Sequence, residues 1–510
     1  MSAGSNNPLA NALGVDTGSG LAEVEFPDVI DPPVPPIEPE PQPQQAKRGL
    51  KQRAISGGLW TGVSFGGSQA LALLSNIILS RLLVPEHFGL MALVTVIVTG
   101  LNMFSDVGIG PSLIQNKRED AGFYNTAWTM QVFRGFMLWL VACGLAWPLS
   151  LIKEDYAPLA WLLPVAAITC IFNGLRSTAW FTVSRRLDIR LIAVVELTTA
   201  VIRIGTMVLV AYFVTRSAWA LVAGLLVGSL LTCILSHRMI PEIKNRFHFE
   251  REAFKELLHF GKWLFLSTII TFLAGQVDKF LISGLISTSM LGLYFIASRL
   301  ADLGPMFFKQ LGVWVGFPAL SELYRNEPER FGPQLLKMRM VITLPINLLL
   351  VFMILIGPAL VVVLFNDNYL DVGLLVQIIA IGSLAGMVTT PYGHVYMASG
   401  RTKYNMMSVL AQFIIITTAT LTGYALFGEI GFFYGIGICQ WLKYIADSVL
   451  VHRCGHWQWK FDFTVLGISL AFGVLAWWLS PEVTAWAHQV DPWLTEQFVS
   501  LKQWIKGGEG

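Results

Sequence analysis

Apolar runs bounded by charges, prolines or glycines recur along the chain from about residue 57 to residue 480. They predict helices near 57–83, 87–112, 126–150, 157–181, 190–214 and 217–237. A second set follows near 262–286, 290–318, 337–365, 373–398, 405–428 and 431–452, with a thirteenth over 464–480. Runs of ~18 residues or more can cross ~30 Å of hydrocarbon at 1.5 Å per residue. In lipid the backbone polar groups have only each other as partners, so each run reads as a helix.

One pattern is written twice. A shift of 203 residues carries Gly58-Leu-Trp60 onto Gly261-Lys-Trp263 and aligns Ser64 with Ser267, Ser68 with Thr271, Ala72 with Gly275, Ser75 with Asp278, Ser80 with Ser283 and Gly89-Leu90 with Gly292-Leu293. The first four of these small or polar positions share one helix face within apolar surroundings. A parallel repeat of this kind predicts two like halves facing each other across a central cavity. The connection 238–261 is amphipathic instead, with Phe254, Leu257 and Leu258 among Arg251, Glu252, Lys255 and Glu256, and reads as an interfacial helix between two bundles of six. Trp486–Lys506 reads as a second surface-lying helix. The expected organisation is a 1–46 tail, a first lobe over 47–237, a linker over 238–261, a second lobe over 262–452, and an extra span with the amphipathic helix over 453–510. The fold class is therefore an all-α polytopic membrane protein.

Composition adds to this picture at three places. With 54% hydrophobic and 13% charged residues and a mean hydropathy of +0.59, the chain is no soluble enzyme. The tail 1–46 is rich in proline, carries Asp16, Glu23, Glu25, Asp28, Asp31, Glu38 and Glu40 without one Lys or Arg, and is expected to be disordered and cytoplasmic. Five cysteines (Cys143, Cys170, Cys233, Cys439, Cys454) form no CxxC pair, so neither a metal site nor a disulfide framework is expected. Alternating through the spans from an inside N-terminus collects 23 Lys and Arg on inside connections, Lys337 and Arg339 among them, against three outside, Arg81, Lys153 and Arg216. By the positive-inside rule the N-terminus is cytoplasmic.

The remaining charges fall where lipid should be. Arg134, Arg176, Arg203, Lys279, Arg299, Lys309 and Lys443 lie in the spans with Glu196, Asp278, Asp302 and Asp447, and with Asp106 nearer a helix end. A charge at the bilayer centre costs at least ~2.5–3.5 kcal/mol, so such groups face a bundle interior or a wet cavity. Glu196 with Arg203, Arg299 with Asp302, and Lys443 with Asp447 are spaced to share helix faces, and internal salt bridges are one reading of them. Arg134 and Arg176 have no acid nearby in sequence. Surplus positive charge implies an anionic cargo, and arginine suits a phosphate or pyrophosphate because its planar fork binds two oxygens at once. Asp278 falls on the repeated stripe, where it could carry a coupling proton or cation or form half of a fixed salt bridge. Its neighbour Lys279 points ~100° away on the helix, so each is expected to find its own partner. Pro305, Pro345 and Pro391 are kink candidates. No Walker-type loop or HExxH occurs, and no catalytic residue, metal ligand or cofactor is expected.

Together, Ile55-Ser-Gly-Gly-Leu-Trp60, Leu82-Leu-Val-Pro-Glu-His-Phe-Gly89, Phe104-Ser-Asp-Val-Gly-Ile-Gly110, Gln115, Asp278-Lys-Phe-Leu-Ile-Ser283 and Leu291-Gly-Leu-Tyr294 resemble polysaccharide-synthesis-type flippases of the multidrug/oligosaccharidyl-lipid/polysaccharide exporter superfamily over about 50–480. These motifs are apolar and specify the family better than the cargo. The resemblance implies two six-helix lobes in a bacterial inner membrane, working by alternating access. The implied cargo is a polyprenyl-pyrophosphate-linked oligosaccharide, moved to the periplasmic leaflet for exopolysaccharide, capsule or O-antigen assembly. It implies a cationic lumen, here Arg134, Arg176, Arg203, Arg299, Lys309 and Lys443, with Asp278, Asp302, Asp447 and Glu196 as ion-coupling candidates. A glycan polymerase and chain-length or export proteins are candidate partners; nucleic acid is not. A multidrug-type antiporter of the same fold would want an acidic, aromatic cavity, and a glycan polymerase or ligase would want larger outside loops than 151–156, 286–290 or 428–431 supply.

Overall fold

A computed structural model describes residues 44–105, 109–115, 118, 120–181, 189–239, 245–312 and 316–507. The chain divides into two compact units, Met1–Lys51 and Gln52–Gly510. The tail expected to be disordered lies outside the described residues up to position 43, as does Asp106. The first half contains α1 (Gln44–Ser80), α2 (Pro85–Phe104), α3 (Ile109–Gln115), α4 (Ala121–Ser150), α5 (Leu159–Ala166), α6 (Ile168–Leu175), α7 (Ile189–Phe213) and α8 (Ala218–Arg238). The second contains α9 (Arg251–Leu285), α10 (Thr288–Leu311), α11 (Phe317–Asn326), α12 (Pro328–Leu364), α13 (Asp371–Ala398), α14 (Thr402–Arg453) and α15 (Trp459–Gly507). No strand occurs among the described residues.

Among the described residues, eleven helical stretches are long and apolar enough to cross a membrane. Two details bear on the expected thirteen. The 24-residue α10 is long enough but carries Arg299, Asp302 and Lys309. The 52-residue α14 contains two helices joined at Gly428, whose backbone (φ 65°, ψ −146°) lies in a region that essentially only glycine adopts. Past Gly428 the chain folds back on itself. A Cβ on Gly431 would stand 2.1 Å from the carbonyl oxygen of Gly423, and one on Gly435 would stand 2.5 Å from that of Ala419. The run expected at 157–181 is also divided, into α5 and α6, where Pro164 has no N–H to donate and the chain tightens at Ala167. Pro305, Pro345 and Pro391 all lie inside helices.

Each half packs mainly within itself. In the first, α4 lies on α5 and α6, α7 on α8, and α6 on α8. In the second, α12 lies on α13 and α15, α13 on α10 and α14, and α9 on α14. The principal bridge between them is α2, which packs on α9 and α10. At that crossing the repeat becomes physical contact. A Cβ on Gly89 would sit 1.9 Å from the carbonyl oxygen of Thr288, and one on Gly292 would sit 1.9 Å from that of Pro85. The shift that superposes Gly89 on Gly292 also superposes Pro85 on Thr288, so the two helices meet reciprocally about a local pseudo-twofold axis. Backbones this close require glycine.

Three expectations need adjusting. The amphipathic stretch of 238–261 is not a separate interfacial helix, because Arg251 already opens the helix that continues to Leu285. Its apolar side, Ala253 and Leu257, packs on Ile109, Leu113, Phe123 and Tyr124. The thirteenth run and the C-terminal amphipathic segment are one helix, α15, which continues through Asp491-Pro492. Arg339, assigned from the sequence to an inside connection, is fully buried in α12.

Candidate substrate cavity

Helices α1, α2, α4, α6, α7 and α8 enclose a cavity of about 670 Å³, inside the ~300–1,000 Å³ range of small-ligand sites. Half of its wall residues carry hydroxyl or amide side chains that the helical period turns inward, Thr95, Asn102, Asn173 and Ser229 among them, set in an otherwise apolar lining. Arg134, Glu196 and Arg203 bring the charge. A second cavity of about 380 Å³ adjoins it, sharing Asn102, Arg134 and Asn173 and adding Gln131 and Arg176. The α4–α6 contact beneath it is a glycine crossing: a Cβ on Gly135 would lie 2.4 Å from the Cys170 carbonyl oxygen, and one on Gly174 would lie 2.5 Å from that of Gln131.

The side chains in these walls are held by polar and aromatic partners. Arg134 Nε donates to Ser105 Oγ at 3.0 Å and its terminal nitrogen to the Asn102 carbonyl at 3.2 Å. Arg176 caps the end of α6 and lies over the rings of Trp180, at 5.2 Å, and Phe181, at 6.0 Å. Glu196 does not pair with Arg203; its Oε2 accepts from Ser64 Oγ at 3.0 Å. Arg299 does not bridge to Asp302 but lies over the Phe295 ring at 5.3 Å. The two joined cavities thus carry Arg134, Arg176 and Arg203 against Glu196 as their lining charges.

A third cavity, of about 370 Å³, lies in the second half and is lined by Asp278, Lys279, Asp302, Lys309 and Lys443. Asp278 accepts from Tyr294 Oη at 2.6 Å, and Lys279 Nζ stands 3.7 Å from its Oδ2. The expectation that Asp278 and Lys279 find separate partners is therefore corrected, since the four-carbon lysine stem reaches round the helix to its neighbour. Lys443 is bound to Asp447 at 2.6 Å, the salt-bridge reading of that pair, and Ser408 Oγ donates to Asp447 at 2.5 Å. His394 is near the crossing of α10, where a Cβ on Gly312 would stand 3.0 Å from its Nε2. Among the described residues no cluster of His, Cys, Asp and Glu could hold a metal.

Eight of the ten residues singled out from the sequence line one of these three cavities, Arg134, Arg176, Arg203 and Glu196 in the first half and Asp278, Asp302, Lys309 and Lys443 in the second. A buried pair escaped that reading. Arg339 donates to Asp462 at 2.5 Å, to the Val388 carbonyl at 3.0 Å and to Gln458 at 3.2 Å. Its guanidinium lies over Tyr392 and Phe461, and the hydroxyl of Tyr392 donates to Asp462. The signal was an acid and a base each at the mouth of an apolar run, which resembles two loop charges until the runs are packed side by side.

These features have counterparts in known proteins. A family model described as polysaccharide biosynthesis protein matches residues 78–373, more than half of the chain. The lipopolysaccharide biosynthesis protein WzxC of Escherichia coli (strain K12) is 24% identical over 437 residues, covering 84% of this chain and 85% of that protein. Among solved structures, the lipid II flippase MurJ in an inward closed conformation superposes with a TM-score of 0.63 at 13% identity, over 86% of this chain and 99% of that one. An inward-facing multidrug resistance transporter of the MATE family gives 0.59 at 14% identity, over 74% and 92%. At these identities the superpositions speak for the fold, and the family match for the rest. The chain belongs to the polysaccharide biosynthesis protein family, and it has the fold of the MurJ and MATE structures.

Proposed function

We propose that the protein moves a polyprenyl-pyrophosphate-linked oligosaccharide from the cytoplasmic to the outer leaflet of a bacterial inner membrane, with its N-terminus cytoplasmic and its two halves rocking as lobes about the α2–α10 crossing. The observation that carries this reading is the pair of joined cavities in the first half, with three guanidiniums against one carboxylate. A diphosphate is matched by Arg134 and Arg176 in the smaller cavity, and sugar hydroxyls by the Ser, Thr and Asn wall of the larger. WzxC is named for lipopolysaccharide biosynthesis and MurJ for flipping lipid II, which agrees with a lipid-linked glycan as cargo. A glycan polymerase and chain-length or export proteins are the partners such a cargo calls for on the outer side. Arg134→Ala and Arg176→Ala are each expected to abolish glycan export while the protein stays in the membrane at parental level. The measurement is accumulation of the lipid-linked intermediate in a host deleted for the gene and carrying each variant; normal export by both would assign the arginines to structure.

The second half supplies the candidate for energy input. Asp278 is buried at the cavity wall, bonded to Tyr294 and near Lys279, so a cation arriving there would compete with the lysine. Asp278→Asn keeps the shape and cannot titrate. Transport into vesicles with and without an imposed proton or sodium gradient is expected to lose its gradient dependence in this variant. An Asn variant still accelerated by the gradient rules Asp278 out as the coupling group.

A further inference from the structure

The largest apolar core of the protein joins both halves. Leu79, Leu83 and Phe88 of the first half share it with Ile282, Ile286 and Tyr369 of the second. Toward the other end the buried residues form smaller clusters, one around Phe123 and Leu257 that also spans the halves and one around Phe331 and Tyr396 within the second. The end held by the larger core is the one that the distribution of Lys and Arg predicts to lie outside.

Two short segments close over that end, and they are copies of one another in action. Lys153-Glu-Asp-Tyr156 of the first half ends in a one-turn 3-10 helix, as does Asn366-Asp-Asn-Tyr369 of the second. Lys153 Nζ donates to the carbonyl oxygens of Ser283 and Ile286, both at 2.8 Å, and Tyr156 Oη donates to that of Ser283 at 2.5 Å. Asn366 Nδ2 donates to the carbonyl of Ser80 at 3.4 Å, and Tyr369 Oη to that of Leu83 at 2.7 Å. The repeat superposes Ser80 on Ser283 and Leu83 on Ile286, so each half caps the same two carbonyls of the other. These carbonyls end α1 and α9, where a helix leaves its last acceptors without internal donors. Arg81 adds bonds to the carbonyls of Val363 and Leu364 at 3.3 and 3.4 Å, and Asp155 accepts from Thr288 Oγ1 at 3.3 Å. The Gly89–Gly292 crossing lies between the two caps.

We propose that these two pseudo-twofold carbonyl clasps are the outer gate, and that the hydroxyls of Tyr156 and Tyr369 supply one release bond in each. The proposal rests on the orientation used for the transport reading. Helix-end carbonyls suit such a role because water can take over as donor once the halves part, so the clasp opens without leaving a buried acceptor unpaired. The close approach of Gly89 and Gly292 sets the closed position, since anything larger than glycine at either place props the halves apart. The first clasp carries a lysine where the second has an asparagine, so the Lys153 side is the stronger of the two.

Thiol accessibility tests this. In a chain whose five native cysteines are replaced, Thr95→Cys reports the cavity below the gate and the exposed Ile152→Cys reports the outer surface. Intact cells are treated with a charged, membrane-impermeant methanethiosulfonate. The Thr95→Cys thiol is expected to react slowly in the otherwise unchanged protein, about fivefold faster with Tyr156→Phe or Tyr369→Phe, and about 25-fold faster with both, one hydrogen bond being worth about that factor. Gly292→Ala reaches the same end by wedging rather than by removing a donor, and keeps the test open should the double phenylalanine variant fold poorly. Unchanged reactivity in the phenylalanine variants and in Gly292→Ala, with Ile152→Cys labelled normally, overturns the gate alone. If Ile152→Cys is shielded from outside, the orientation is wrong, and the transport direction and the gate fall together.

Discussion

At the scale of single residues, the protein's charges divide into those that line cavities and those that hold helices together. Arg339 and Asp462 belong to the second kind, both being fully buried and joined at 2.5 Å. Removing one partner of a buried pair leaves an uncompensated charge, so Asp462→Asn should lower stability by ~3–5 kcal/mol, whereas Arg339→Met with Asp462→Leu should recover much of that loss. Thermal unfolding of the purified protein measures both; an Asn variant that melts like the parent shows the site to be hydrated. Asp120 is a different case, on the water side of α4. It caps that helix by accepting from the Phe123 N–H at 3.0 Å, and hydrogen bonds from Arg118 hold its carboxyl at about 2. A depressed value stabilises the fold above the ordinary carboxylate range and is lost as pH falls through the lowered one. The destabilisation caused by Asp120→Ala should therefore be constant from about pH 5 to 8 and shrink toward pH 2, as followed by denaturation at fixed pH.

At the scale of elements, the runs of apolar residues were a reliable guide to where helices are and a poor one to where they stop. A proline or glycine acts through the hydrogen bonds of its surroundings, which periodicity does not report. Pro164 accompanies a break between α5 and α6, while Pro345 and Pro391 sit inside unbroken helices. Gly428 turns α14 back on itself with φ 65° and ψ −146°. Gly428→Ala should lower stability by ~1–3 kcal/mol, because a side chain is strained in that region whatever space surrounds it. The neighbouring Gly431→Ala should be worse, with its Cβ 2.1 Å from the carbonyl oxygen of Gly423. Comparing the two melting temperatures separates backbone strain from overpacking, and equal losses would deny the hairpin its glycine contact.

At the scale of the whole molecule, the proposed orientation rests on where Lys and Arg accumulate. Reporter fusions after Ser150, Ser217, Leu370 and Glu429 should read as outside, and those after Arg246, Asn326 and Lys403 as inside; an inside signal at Leu370 breaks the two-half topology. The sequence by itself determined the helical membrane class, the family likeness, the repeat and the set of intramembrane charges, because each follows from composition or spacing along one chain. Only the tertiary structure decided which of those charges meet. Arg134 and Arg203 share one cavity through different helices, Lys443 is neutralised by Asp447, and Arg299 rests on an aromatic ring. Even the clasping tetrads, Lys153–Tyr156 and Asn366–Tyr369, reveal themselves as a pair only once folding sets each against the other half's helix ends. The physical reason is that hydrophobicity acts on each helix separately, whereas a hydrogen bond or an ion pair exists only between groups that packing has brought within about 3 Å.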